Sequence, residues 1–94
     1  MNTFDVGETV ICSVEVKDDT GAYKDPATSM QIKIDQIKSQ FASKITATDM
    51  TPDSTGKYHY DLQTTGYKDG TYEAIYIATD GTRITIKKEQ FILE

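Results

Sequence analysis

His59 is the only histidine in the 94-residue chain, and it lies close in sequence to Asp61 and Ser54. A histidine beside a carboxylate on a strand can begin a metal site, but a second histidine or a cysteine has to complete it, and none stands at ligand spacing. Ser54, His59 and Asp61 also name the three groups of a nucleophilic relay. Such a relay needs a strained nucleophile turn and backbone donors for the oxyanion, and no glycine-rich segment provides them. His59 is therefore expected to face solvent. Asp18, Asp19, Asp25 and Asp53 fall in turns, where a calcium ion would find suitable oxygens. The D-x-[DN]-x-[DN]-G ligand spacing is missing, however, and aspartate serves turns by bonding its own backbone. The single cysteine, Cys12, sits in an alternating apolar run, which predicts a small buried hydrophobe rather than a reactive thiol. No glycine precedes a helix that could present its N-terminus to a phosphate. These residues predict no catalytic set, no metal site and no cofactor, and so a protein that is not an enzyme.

The elements that hold these residues read as strands. The stretch STGKYHYDLQTTGYKDGTYEAIYIATDGT states one instruction twice: a glycine turn, then tyrosines at alternate positions. Successive strand side chains point to opposite faces, so Tyr58, Tyr60 and Leu62 share one side while Lys57, His59 and Asp61 share the other. Upstream, Glu8 to Lys17 alternates in the same way, with Val10, Cys12, Val14 and Val16 facing inward. Asp18-Asp19-Thr20-Gly21 is a turn by composition, and Asp25-Pro26 closes the loop that follows. Thr28 to Asp35 forms the next strand, with Met30, Ile32 and Ile34 on one face. DQIKSQFAS, Asp35 to Ser43, reads as a connection with one helical turn, because Ile37 and Phe41 stand at helical spacing but lack capping.

Lys44 to Met50 returns to strand, and Thr51 to Gly56 reads as a long turn because it carries the residues such turns use. Thr71 to Thr79 is apolar on both faces, the mark of a central strand. Asp80-Gly81 is expected at the centre of a type I′ hairpin turn, which needs positive φ at both central positions. Beyond it lie two further strands, Arg83 to Lys87 and Glu89 to Leu93. Ahead of the first strand, Phe4 and Val6 are expected to tuck beneath the fold, with Gly7 turning the chain. About seven antiparallel strands with closely spaced turns and no helix predict a small all-β sandwich. A closed barrel is the alternative.

Composition narrows the partners. A net charge of −5 repels phosphate backbones and anionic lipid, so neither nucleic acid nor a membrane is expected. No apolar run is long enough to cross a bilayer, and MNTFDVGE is not a secretory leader. A chain made and used without export follows as an expectation. Tyr23, Tyr67 and Tyr76, with Ile75 and Ile77, are candidates for exposed contact surface, since tyrosine brings large contact area at low entropic cost. A glycan is the competing occupant of such a patch. Thr82, Thr85, Lys87 and Lys88 read as protection of an edge strand.

The order G-E-T-V, D-D-T-G, D-P, S-T-G-K-Y-H-Y-D-L, D-G-T-Y, T-D-G-T and a closing F-I-L resembles the bacterial and phage immunoglobulin-like domains. It is similar more narrowly to the short stand-alone members among virion genes of tailed phages. The resemblance covers almost all of the chain and implies one immunoglobulin-like domain over 1–94. In that family D-G-T-Y corresponds to the tyrosine corner, which implies that the Tyr72 phenol bonds backbone upstream. The chain departs from antibody domains in lacking a cysteine pair and tryptophan, and from phage members in the DQIKSQFAS insert. The function implied is a virion component, in capsid decoration, neck or tail, assembled in the host cytoplasm and acting through contacts with other virion proteins or with itself. The alternative is an extracellular, cell-surface adhesion or glycan-binding module of a larger secreted protein.

Overall fold

A computed structural model describes residues 2–37 and 42–94. Its strands are β1 (Asn2–Phe4), β2 (Thr9–Glu15), β3 (Ser29–Ile37), β4 (Ala42–Asp49), β5 (Thr51–Ser54), β6 (Lys57–Gln63), β7 (Gly70–Asp80) and β8 (Arg83–Leu93). They form two sheets, ordered β1-β8-β7-β3-β4 and β2-β6-β5. Every ladder is antiparallel except the short parallel one between β1 and β8. The protein is thus all-β, with two sheets sharing one core.

Alternation builds that core from both sides. In β2, Val10, Cys12 and Val14 are buried while Thr9, Ile11, Ser13 and Glu15 face water. Opposite them on β6 stand Leu62, Tyr60 and Tyr58, with Tyr58 and Leu62 buried. The larger sheet answers with Met30, Ile32 and Ile34 from β3, Tyr72, Ala74 and Tyr76 from β7, and Phe91 and Leu93 from β8. Tyr72 stacks between Phe91 and Tyr67, each ring centroid 5.7 Å away, and Phe4 meets Phe91 edge-on at 6.1 Å. A fully buried side chain of this size contributes about 1.5–3 kcal/mol, so this aromatic column carries a large share of the stability of a small core. β7 lies in the middle of the five-stranded sheet, as expected of a central strand: pairing covers its two edges and packing covers its inner face, while Ile75 and Ile77 on its outer face are half-buried.

Several expectations are corrected. The structure has eight strands among its described residues, where about seven were expected. Thr51–Ser54 is not part of a long turn but an edge strand, paired with β6 and bulged between Pro52 and Ser54. Proline is tolerated there because an edge strand has one side on which no donor is required, and the turn shrinks to Thr55-Gly56. The last two expected strands are one continuous strand, Arg83–Leu93, because β7 supplies a partner along its whole length.

The hairpin turn is centred on Gly81-Thr82 rather than Asp80-Gly81, since Asp80 pairs with Arg83. Of the two central residues only Gly81 has positive φ, at 63°, and among the described residues no non-glycine does; a first central glycine followed by negative φ belongs to type II′ rather than I′. Of the lead-in residues, Phe4 packs against the core, but Val6 is 39% exposed. Its N–H is spent on the Glu94 carbonyl. In the Asp35 to Ser43 segment, strand extends through Ile37 on one side and from Ala42 on the other. The rest of the expected helical turn, 38–41, lies outside the described residues. At Met50 the chain passes from one sheet to the other without a loop, and Met50 N–H bonds the Met30 carbonyl as it crosses.

Candidate functional site

The strand pairing β5–β6 decides what His59 can do. His59 Nδ1 lies 2.6 Å from Asp53 Oδ1 and its Nε2 lies 4.0 Å from Asp61 Oδ1. An ionised carboxylate only accepts, so Nδ1 donates to Asp53. Both ring nitrogens therefore face carboxylates, whereas a relay to Ser54 needs one of them turned to the hydroxyl. The imidazole is half-buried by this pairing rather than freely exposed. Among the described residues no group of three His, Cys, Asp or Glu side chains could hold a metal ion.

Two of the aspartates read as turn residues, Asp18 and Asp25, are occupied by protein donors. Asp18 Oδ1 accepts from Thr20 Oγ1 at 2.6 Å, Thr20 N at 2.9 Å and Ala22 N at 3.1 Å. The Thr20 hydroxyl first, and then the Ala22 amide, hold its carboxyl below the usual carboxylate range. Asp25 Oδ1 accepts from Gly56 N at 2.7 Å and from the Tyr58 hydroxyl at 3.0 Å. That clamp ties the loop after Gly21 to the β5–β6 turn. Burial, and then the bond to Asp25, push the Tyr58 phenol up.

Cys12 is buried, and burial, reinforced by the Glu89 charge, pushes its thiol up to about 11. The Tyr76 hydroxyl is buried beside it, with no oxygen or nitrogen partner among the described residues. These two groups are enclosed between the sheets. Near them, an open cleft of about 230 Å³ runs between Val14, Val16, Met30, Tyr76, Ala78, Thr85 and Lys87.

The expected contact residues separate into different places. Tyr76 is buried at 2% exposure, so it offers no surface. Tyr67 packs against the core, stacked on Tyr72. Tyr23 is 41% exposed but already engaged: its hydroxyl donates to Glu15, and the Lys17 and Lys57 ammonium groups sit 5.1 Å and 4.8 Å from its ring centroid. The Tyr72 phenol donates to the Lys68 carbonyl at 2.6 Å, pinning the loop before β7.

Ile75 and Ile77 lie on the outer face of the five-stranded sheet, in register with Lys88 and Ile86 of β8. Thr79 extends the row beside Ile84. Ile84 and Ile86 are 63% and 57% exposed. The four isoleucines thus form one apolar patch on the solvent side of the larger sheet. Sequence reasoning missed Ile84 and Ile86, although the alternation Arg83-Ile84-Thr85-Ile86-Lys87 carried the signal: with Phe91 and Leu93 inward, Ile84 and Ile86 must point outward.

β8 is also a free edge. β1 covers it only at Phe91, Ile92 and Leu93, which leaves Arg83 to Gln90 without a neighbour on that side among the described residues. Neither a protein family, nor a curated protein, nor a solved structure matches this chain.

Proposed function

We propose that this protein is a non-enzymatic interaction module with an immunoglobulin-like topology, which binds other proteins through the outer face of its larger sheet. The observation that carries the reading is the apolar patch in which the exposed Ile84 and Ile86 lie beside the half-buried Ile75 and Ile77. A contiguous apolar face on a small domain signifies contact with a partner. The topology is supported by strand order. With β1 to β8 taken in order as A, B, C, C′, D, E, F and G of that fold, the sheets become B-E-D and A-G-F-C-C′. The Tyr72 phenol bond to Lys68, at the start of the strand taken as F, fits the tyrosine corner.

The sequence resemblance favours a tailed-phage virion as the setting, with the module decorating a capsid or joining a neck or tail. Many copies on one particle would turn weak single contacts into strong attachment. The test is co-sedimentation of the purified protein with phage particles lacking it. Saturable binding is expected, and a double variant, Ile84→Ser with Ile86→Ser, should bind at least about tenfold more weakly with an unchanged urea midpoint, since each isoleucine fully buried contributes about 1.5–3 kcal/mol. Absence of binding to any particle, or binding indifferent to the double variant, would reject the proposal.

A further inference from the structure

We infer that two copies of this chain pair antiparallel through the free edge of β8, about a dyad at Ile86, to make one continuous sheet. The inference rests on the reading of this sheet as a contact surface and names one partner for it.

The backbone of β8 is set for such pairing. Asp80 and Arg83 flank a two-residue turn and so exchange bonds across the hairpin, after which bonded and non-bonded pairs alternate. Arg83, Thr85, Lys87 and Glu89 therefore spend their N–H and C=O groups on β7, while those of Ile84, Ile86, Lys88 and Gln90 point to the open side. The same parity holds further along. Glu94 donates its N–H to the Phe4 carbonyl and accepts from Val6 N–H, both on the β1 side. An exposed row of donors and acceptors is a template for another strand.

Three independent constraints select one register. The first is steric: β1 begins opposite Phe91, so an incoming strand must stop at Gln90. The second is symmetry. An antiparallel pair related by a dyad places each residue opposite one of equal parity, so a dyad falls on a residue, and Arg83–Gln90 is centred between Ile86 and Lys87. The third is charge. A dyad at Lys87 sets that lysine against its own copy and drives Arg83 of the second copy into β1. A dyad at Thr85 sets Arg83 against Lys87. A dyad at Ile86 sets Arg83 against Glu89 of the second copy, twice, with Thr85 against Lys87, Ile84 against Lys88 and Ile86 against itself. No like charges face each other in that register, and opposite-charge cross-strand pairs favour it. It also brings the isoleucine patches of the two copies together, continuing the exposed face across the dyad. The lysines that guard the edge against other pairings thereby specify this one.

Sedimentation velocity from micromolar to millimolar protein tests the pairing. The wild-type chain is expected to show a reversible monomer–dimer equilibrium. Ile86→Pro removes a donor that faces the open side and leaves the ladder to β7 intact, a place where proline is tolerated; it should abolish the dimer while urea unfolding still reports a folded chain. Arg83→Glu should weaken the dimer about tenfold, because two attractive pairs become repulsive. Adding Glu89→Arg to it should restore wild-type affinity. A wild-type chain that stays monomeric at millimolar concentration, or a dimer indifferent to Ile86→Pro, overturns the inference and leaves the edge to a strand of another protein. Single variants that weaken the dimer without rescue by the charge swap overturn the register. A monomer that still binds particles through its isoleucine patch would remove this pairing alone and leave the proposed function standing.

Discussion

Replacing Gly56 with alanine should be far more damaging than the same change at Gly81, although both glycines have positive φ, 71° and 63°. An L-residue in that region costs about 1–2 kcal/mol at either site. At Gly81 a new Cβ would meet nothing within 4 Å. At Gly56 it would lie 2.5 Å from the Val16 carbonyl oxygen and 2.9 Å from Lys24 N, so backbone has to move. The backbone in the way is tied down: Val16 N–H donates to the Gly56 carbonyl at 2.7 Å, and the Val16 carbonyl accepts from Lys24 N–H at 3.1 Å. Losing one such bond costs about 1 kcal/mol, and more if the orphaned group stays buried.

Gly56→Ala should therefore cost about 3–4 kcal/mol against about 1–2 kcal/mol for Gly81→Ala, the gain from a stiffer unfolded chain being common to both. Urea unfolding followed by circular dichroism measures the difference. With a slope of about 1–2 kcal/mol/M, the Gly56 variant should unfold about 1–2 M earlier than the Gly81 variant. Equal midpoints with equal slopes would show that the Val16, Lys24 and Asp25 cluster around Gly56 is looser than these distances imply, and the argument would fail.

Two further outcomes follow from buried groups. Tyr72→Phe keeps the stacked ring but removes the bond to the Lys68 carbonyl; a loss of about 1 kcal/mol is expected, seen as a fall in Tm of about 4–8 °C. An unchanged Tm would mean that the phenol does not pin the loop. The Cys12 thiol, pushed up to about 11 by burial, should resist alkylation in the native state and react only as the chain unfolds in urea. Its neutral form is favoured by folding, so this contribution is fully present below the ordinary value of 9.0 and is lost as pH rises toward about 11. Native Cys12 alkylated at the rate of a free thiol would contradict its burial.

Sequence alone determined the parts of this protein that are local. Alternation in Val10-Ile11-Cys12-Ser13-Val14 and in Met30 to Ile34 named the inward side of each strand, because a pleated backbone turns every second side chain the same way. Asp18 and Gly21 announced their turn for an equally local reason, the aspartate bonding amides only a few residues on. The alternation that sets His59 on the same face as Asp61 was legible too, although its partner, Asp53, became clear only once β5 lay beside β6.

Tertiary structure decided everything that depends on who lies alongside. Thr51–Ser54 has the composition of a turn and becomes a strand because β6 offers it a ladder. Arg83–Leu93 is unbroken because β7 runs beside all of it. The isoleucine patch and the open edge of β8 arise from register across a hairpin and from where β1 stops. A strand's two edges bond to segments distant in the chain, and no pattern within the strand itself says which neighbour will arrive or how far it will reach.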